Sequence, residues 1–133
     1  MNHEKHEKQE KIMYKEESFL IQEAVFEIYK EIGVGFIEPV YQECLEYEFA
    51  QRKIPFKSQV NIFIHYKKIQ LQHTYKAVFT CFEKILFEIK AVSNILDIHR
   101  AQILNYLRAT NLRLGFLINF SSSPKVAIER IVV

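Results

Sequence analysis

The sequence predicts an α/β fold, a mixed sheet with helices packed on it in the order α-α-β-β-β-α-β-β, and three observations predict it. Apolar residues recur at three- and four-residue spacing up to about residue 52, then at two-residue spacing after Pro55. The stretches after Pro55 are short and separated by turn residues, which makes them strands rather than one long element. One helical segment, DIHRAQILNYLRAT, interrupts them between the third and fourth. With 133 residues, 49% of them apolar and 14% aromatic, the chain suits one domain with a packed core, and it shows no internal repeat.

Residues 1–17 alternate Lys, Glu, His and Gln with almost nothing apolar, so a charged, disordered tail is expected, its His3 and His6 solvated. The domain is expected over 18–133. From Ser18, the residues Ile21, Ala24, Val25, Ile28 and Ile32 draw one apolar stripe, and Gly33 supplies a helix stop. Gly35 and Pro39 punctuate a second start, with Pro suited to a first helical turn. Tyr41, Cys44, Leu45 and Phe49 carry that helix to about Arg52. VNIFIHY alternates as a strand, turns through Lys67 and Lys68, and returns as QLQHTYKAVFTCF. Glu83 and Lys84 then turn the chain into ILFEIKAV. Short loops between the three strands predict an antiparallel meander. Asp97 is read as the cap of the third helix, with Ala101, Leu104 and Leu107 on its buried side. RLGFLINF and KVAIERIVV are read as strands flanking the turn SSSP.

Several functional classes fall away on these totals. Cys44 and Cys81 lie far apart with no CxxC or Cys/His cluster, so neither a zinc knuckle nor a disulfide framework is indicated, and both read as reduced core residues. No apolar stretch approaches the roughly 18 residues of a membrane span. The start, MNHEKHEKQEK, lacks the apolar run of a signal peptide, so a cytoplasmic protein without a membrane partner is expected. The net charge of +2 hides an asymmetry: residues 1–48 carry 5 Lys/Arg against 12 Asp/Glu, and residues 49–133 carry 13 against 4. A basic second part suits a polyanion such as nucleic acid, and it equally suits mutual attraction of the two parts within the fold.

Within the third strand, FEIK sets Glu88 and Lys90 two positions apart, so both side chains point to one face of an otherwise apolar run. An acid and a base there must pair, hold a metal, or sit at an open edge. Two readings follow. One is a structural ion pair; the other is a metal-dependent phosphodiesterase centre, with the acid on Mg²⁺ and the lysine beside the attacking water.

Four stretches favour the second. GFIEPVY at 35–41 has the pattern GxxExxY. With the helix ending EIGVGFIEPVY, the strand FEIKAV and the segment HRAQILNYLRATNLRLGFLINF, it resembles the GxxExxY protein family of the PD-(D/E)XK nuclease superfamily, from about Phe19 to Val133. The resemblance implies a restriction-endonuclease-like fold. It implies a catalytic set of Glu38, Glu88, Lys90, Gln102 and Tyr106. Glu38 and Glu88 would be metal ligands, Glu88 and Lys90 the E-x-K half of the signature, and Gln102 and Tyr106 a Q-x-x-x-Y pair on one helix face.

One position departs from the family. Its usual aspartate, in a Tyr-basic-Ala-Asp context, is replaced in YKAV by Val78. Neutral Thr80, on the same face, and Glu83, in the turn, are no simple substitutes. Two carboxylates would hold Mg²⁺ weakly or not at all. The resemblance thus implies either a nuclease-fold protein with a degenerate metal site that binds nucleic acid or a protein partner, or a Mg²⁺-dependent DNA or RNA nuclease. Lys76, Lys84, Arg100, Arg108 and Arg113 are the candidate phosphate contacts, with ordinary surface solvation as the alternative. A homodimer is a further expectation from the superfamily.

Overall fold

The structure, a computed structural model, describes residues 13–133, the side chains of Ala77 and Val78 excepted. The tail expected over 1–17, with His3 and His6, lies outside the described residues as far as residue 12. Helix α1 (Lys15–Ile32) already begins three residues ahead of Ser18. Helix α2 (Glu38–Gln51) follows, then β1 (Phe56–Tyr66), β2 (Ile69–Cys81), β3 (Ile85–Lys90), α3 (Asp97–Thr110), β4 (Leu114–Asn119) and β5 (Ala127–Val132). This is the order expected from the periodicity.

The five strands form one sheet in the order β1-β2-β3-β4-β5. The first three make the expected antiparallel meander. Because α3 carries the chain back across the sheet, β4 lies parallel to β3, with Glu88 beside Leu117 and Lys90 beside Asn119. β5 returns antiparallel to β4. The sheet is therefore mixed, its parallel pair at the centre.

Alternation along β3 divides the core in two. Ile85, Phe87 and Ile89 face α1 and α2, in a cluster with Ile21, Val25, Tyr41 and Leu45. There Phe49 meets Phe79 and Phe87 edge-on, each at 5.5 Å between ring centres. Leu86 faces α3, in a smaller cluster with Ile62, Ile103, Tyr106, Leu107 and Leu117. Glu88 and Lys90 share that second face.

Two expectations for α3 need correction. Asp97 does not cap the helix. The N-cap is Leu96, whose N–H is accepted by His99 Nδ1 at 2.9 Å, and Asp97 is exposed beside Arg100. The buried stripe is also rotated: Ala101 is exposed and Leu104 half-buried, whereas Ile103, Tyr106 and Leu107 are buried. The cause lies in the sheet. Gly115 has no side chain, so α3 settles with Ile103 and Leu107 directly over it. A Cβ there would stand 3.1 Å from Ile103 Cδ1 and 3.2 Å from Leu107 Cδ1. Gly115→Val is expected to cost about 1–3 kcal/mol through overpacking. A urea titration measures it, with Gly115→Ala falling between that variant and the wild type.

Candidate functional site

Two glycines bring the first acid into place. Gly33 ends α1 at φ 64° with its N–H on the Tyr29 carbonyl, and Gly35 follows at φ 108°. Both angles favour residues without a Cβ. The chain thereby reverses between Ile32 and Glu38. Tyr41, one turn into α2, fixes this loop: its hydroxyl donates to the Gly33 carbonyl at 2.6 Å and accepts the Phe36 N–H at 3.4 Å. Its ring is fully buried and stacks on Phe120 at 4.3 Å. Glu38 is thus held between two anchors as the first residue of α2, where the helix dipole favours an acid. From there its Oε2 accepts the Ala91 N–H, at 3.3 Å, just past the end of β3.

At that end of β3 stand Glu88 and Lys90. Glu88 is 7% exposed, and Lys90 Nζ lies 3.6 Å from its Oε1. Burial pushes the Glu88 carboxyl above the ordinary carboxylate range. The adjacent Lys90 ammonium pulls it back, and the neighbouring Glu38 charge raises it further. Glu38, Glu88 and Lys90 therefore share one electrostatic site, with Lys90 its only cation among these three. Tyr106 faces it from α3. Its hydroxyl is pushed up to about 12, by burial first and then by the charge of Glu88 and by Tyr75. Gln102, one turn before Tyr106, lines a cleft with it.

Two oxygens here lack partners. Glu88 Oε2 and Gln102 Oε1 are buried and accept no hydrogen bond among the described residues. Unmet acceptors of carboxylate and amide type suit a hard cation. The set is small, however. Among the described residues no group of three or more His, Cys, Asp or Glu side chains could hold a metal.

Position 78 belongs to β2, one residue before Phe79, whose Cα partner is Phe87; Glu88 is the residue after Phe87. The neighbouring acid and hydroxyl lie elsewhere. Thr80 pairs with Leu86 and, with Glu83 and Lys57, lines a small hollow toward the start of β3, away from Lys90.

The five basic residues divide. Arg100 grips Glu129 on β5 with two hydrogen bonds of 2.7 Å each and also holds Asp97. Lys84 pairs with Glu17 at 3.3 Å and lies over the Tyr14 ring. These two charges tie elements of the fold together. Lys76 and Arg113 are exposed, and Arg108 is exposed on the cleft that Gln102 and Tyr106 line.

Sequence reasoning missed Asn119. It is buried at 2% exposure, donates to the Val92 carbonyl at 2.8 Å, and accepts the N–H groups of Val92 and Ser121. It thereby pins the loop behind Lys90. The signal was a lone amide in the apolar run LGFLINF. Both cysteines are free, as expected, with burial raising both thiols.

The Glu88 shift carries a sign. In the unfolded chain the carboxyl ionises near 4.5, and in the fold it does so at higher pH. Below 4.5 it is neutral in both states. Above that value the unfolded state gains its ionisation first, so stability due to Glu88 falls as pH rises and levels off above the folded value. Wild type should therefore lose stability relative to Glu88→Gln between pH 4 and pH 7, read as the difference between their urea midpoints.

Comparison with known proteins bears on the fold and the superfamily. The family model of the PD-(D/E)XK nuclease superfamily matches residues 15–131. No curated protein matches the sequence. Among solved structures, the crystal structure of SSO0001 is similar in fold at a TM-score of 0.57 and 18% identity, over 71% of this chain. The chain spans about half of that protein, 48% of its length.

Proposed function

Because the chain belongs to the PD-(D/E)XK nuclease superfamily, we propose that it is a nucleic-acid-binding member of the GxxExxY family whose phosphodiesterase centre is weakened by the loss of one metal-binding aspartate. The observation that carries this reading is the donor count: Glu38 and Glu88 feel each other's charge at the end of β3, and no group of three such ligands forms among the described residues.

Glu38 and Glu88 would hold Mg²⁺, and the unpartnered Gln102 Oε1, one turn from Tyr106 on α3, is a neutral oxygen of the right kind. When bound, the ion would polarise the phosphoryl oxygens and acidify a water. The chain's own residues contribute the rest. Lys90, 3.6 Å from Glu88, sets a positive charge where an attacking water or a developing phosphorane charge would stand. Tyr106, its hydroxyl pushed up to about 12, stays protonated at neutral pH and can donate to a phosphate oxygen.

A second reading, an active Mg²⁺-dependent nuclease, is favoured by one observation. Two buried oxygens, Glu88 Oε2 and Gln102 Oε1, stay without partners, although unpaired buried acceptors are costly and tend to disappear when nothing uses them. Labelled DNA and RNA, single- and double-stranded, incubated with Mg²⁺ or Mn²⁺ separate the two. The first reading expects salt-sensitive binding, weakened by Arg108→Glu, with little or no cleavage. Vigorous cleavage abolished in Glu88→Ala would put the second reading first. Arg100 is unsuitable for that charge reversal, because its grip on Glu129 would be lost together with any phosphate contact.

A further inference from the structure

On the α3 side of the sheet a cleft of about 700 Å³ opens between the β1–β2 ribbon and α3, and it adjoins the acidic centre through their shared wall, Tyr106. We infer that this cleft binds an unpaired nucleobase, so that the nucleic acid this protein takes is single-stranded where it crosses the site. The inference rests on the proposed nucleic-acid binding and adds the form of the ligand.

The walls carry the argument. Phe63, Ile64 and His65 all line the cleft, although three consecutive residues of a regular strand cannot face one way. The β1–β2 register shifts between Phe63 and His65, a bulge that interrupts the alternation beside the cleft. Across from them Tyr75 leans on Tyr106 with ring centres 5.6 Å apart, tilted by 45°. Tyr75 remains 53% exposed and Phe63 49% exposed, so aromatic surface is left uncovered on the walls of the cleft. Uncovered aromatic rings are the surface on which bases stack, whatever their sequence. Asn105 and Asn111 add exposed amides, each able both to donate and to accept along a base edge. Arg108 supplies the charge for a flanking phosphate.

Charge decides against other occupants. Among the described residues no carboxylate lines this cleft. The groove between α1 and α2 is the reverse, lined by Glu27, Glu31, Glu43 and Glu48, and it would repel a phosphodiester. A duplex buries its base faces within the stack, so it offers nothing for Phe63 and Tyr75 to cover. A single strand presents them freely.

The test is fluorescence anisotropy in EDTA, so that no cleavage enters. It uses single strands of DNA and of RNA, the matching duplexes, and an abasic strand of the same length. The full chain is expected to bind single strands roughly tenfold or more tighter than duplex. Tyr75→Ala and Phe63→Ala should each weaken single-strand binding by about tenfold, leave duplex binding unchanged, and have no effect on the abasic strand. Tyr75→Phe should retain most of the affinity, and Phe19→Ala, an exposed ring on α1, should change nothing. The DNA and RNA arms show which sugar the site accepts. Salt-sensitive binding that is equal for strand and duplex and indifferent to Tyr75→Ala and Phe63→Ala would overturn the cleft alone. No binding of any polymer would overturn the nucleic-acid reading with it.

Discussion

Replacing Tyr41 by alanine is expected to cost about 3–5 kcal/mol of unfolding free energy, the range for deleting a large buried ring. Against the 5–15 kcal/mol that roughly bounds a domain of this kind, that leaves a marginal fold. Three contributions combine at this residue. The ring is wholly inside, stacked on Phe120 and edge-on to Phe36 at 6.0 Å. Its hydroxyl satisfies the Gly33 carbonyl and the Phe36 N–H. It also closes the loop that aims Glu38. Tyr41→Phe separates these effects, since it keeps the ring and removes the hydroxyl. It should cost only about 1–2 kcal/mol in urea, yet it frees the Gly33–Ile37 loop and so loosens Glu38. A Val78→Asp, Tyr41→Phe protein whose Mg²⁺-dependent rise in melting temperature matched that of Val78→Asp alone would show that the hydroxyl serves stability alone.

That residue also marks how far the sequence could be read. The period-two runs after Pro55 and the three-to-four spacing before it yield every element in its observed order, because hydrophobic periodicity reports which face is buried. It places Tyr41 in the α2 core stripe for the same reason. Periodicity says nothing, however, about a hydroxyl reaching back eight residues to a carbonyl, since that contact depends on the path of the loop between the two helices. The α3 stripe shows the same limit from the opposite side. Ala101 and Leu104 satisfy a helical pattern as well as Ile103 does. The choice falls to Ile103 and Leu107 because a glycine on a different element, Gly115, lets them approach. Register across elements decided it, and register is not written in one segment.

The site divides in the same way. Glu88 and Lys90 were legible because two charges in the buried run ILFEIK contradict their surroundings, and the structure keeps them together at 3.6 Å. Glu38 joins them across 50 residues of sequence, a convergence that only the resemblance to a nuclease family could suggest before the fold was known. The candidate phosphate contacts were the least legible. Lys84 and Arg100 carry the right charge, but ion pairs with Glu17 and Glu129 occupy both, so part of the basic excess serves attraction between elements. The cleft beside Tyr106 was not legible at all, because the bulge on its β1 wall breaks the very alternation by which β1 was recognised.

Val78→Asp is expected to reverse the metal dependence of the protein. Without metal the variant should be less stable than wild type by about 1–3 kcal/mol, because aspartate is a poor strand residue and adds a negative charge beside a strand that carries the already destabilised Glu88. With Mg²⁺ the same charge becomes favourable, since three carboxylates hold a hard divalent ion more firmly than two. Ligand linkage gives the scale: an ion present at about one hundred times its dissociation constant stabilises by roughly 2.7 kcal/mol, and one near its dissociation constant by a few tenths. In millimolar Mg²⁺ the melting temperature of Val78→Asp should therefore climb by several degrees while that of wild type barely moves, and calorimetry should find measurable binding in the variant alone. Adding Glu88→Ala to Val78→Asp should abolish the gain. Equal Mg²⁺ binding by wild type and Val78→Asp would mean that Glu38 and Glu88 already suffice, and the protein would then be read as an active nuclease.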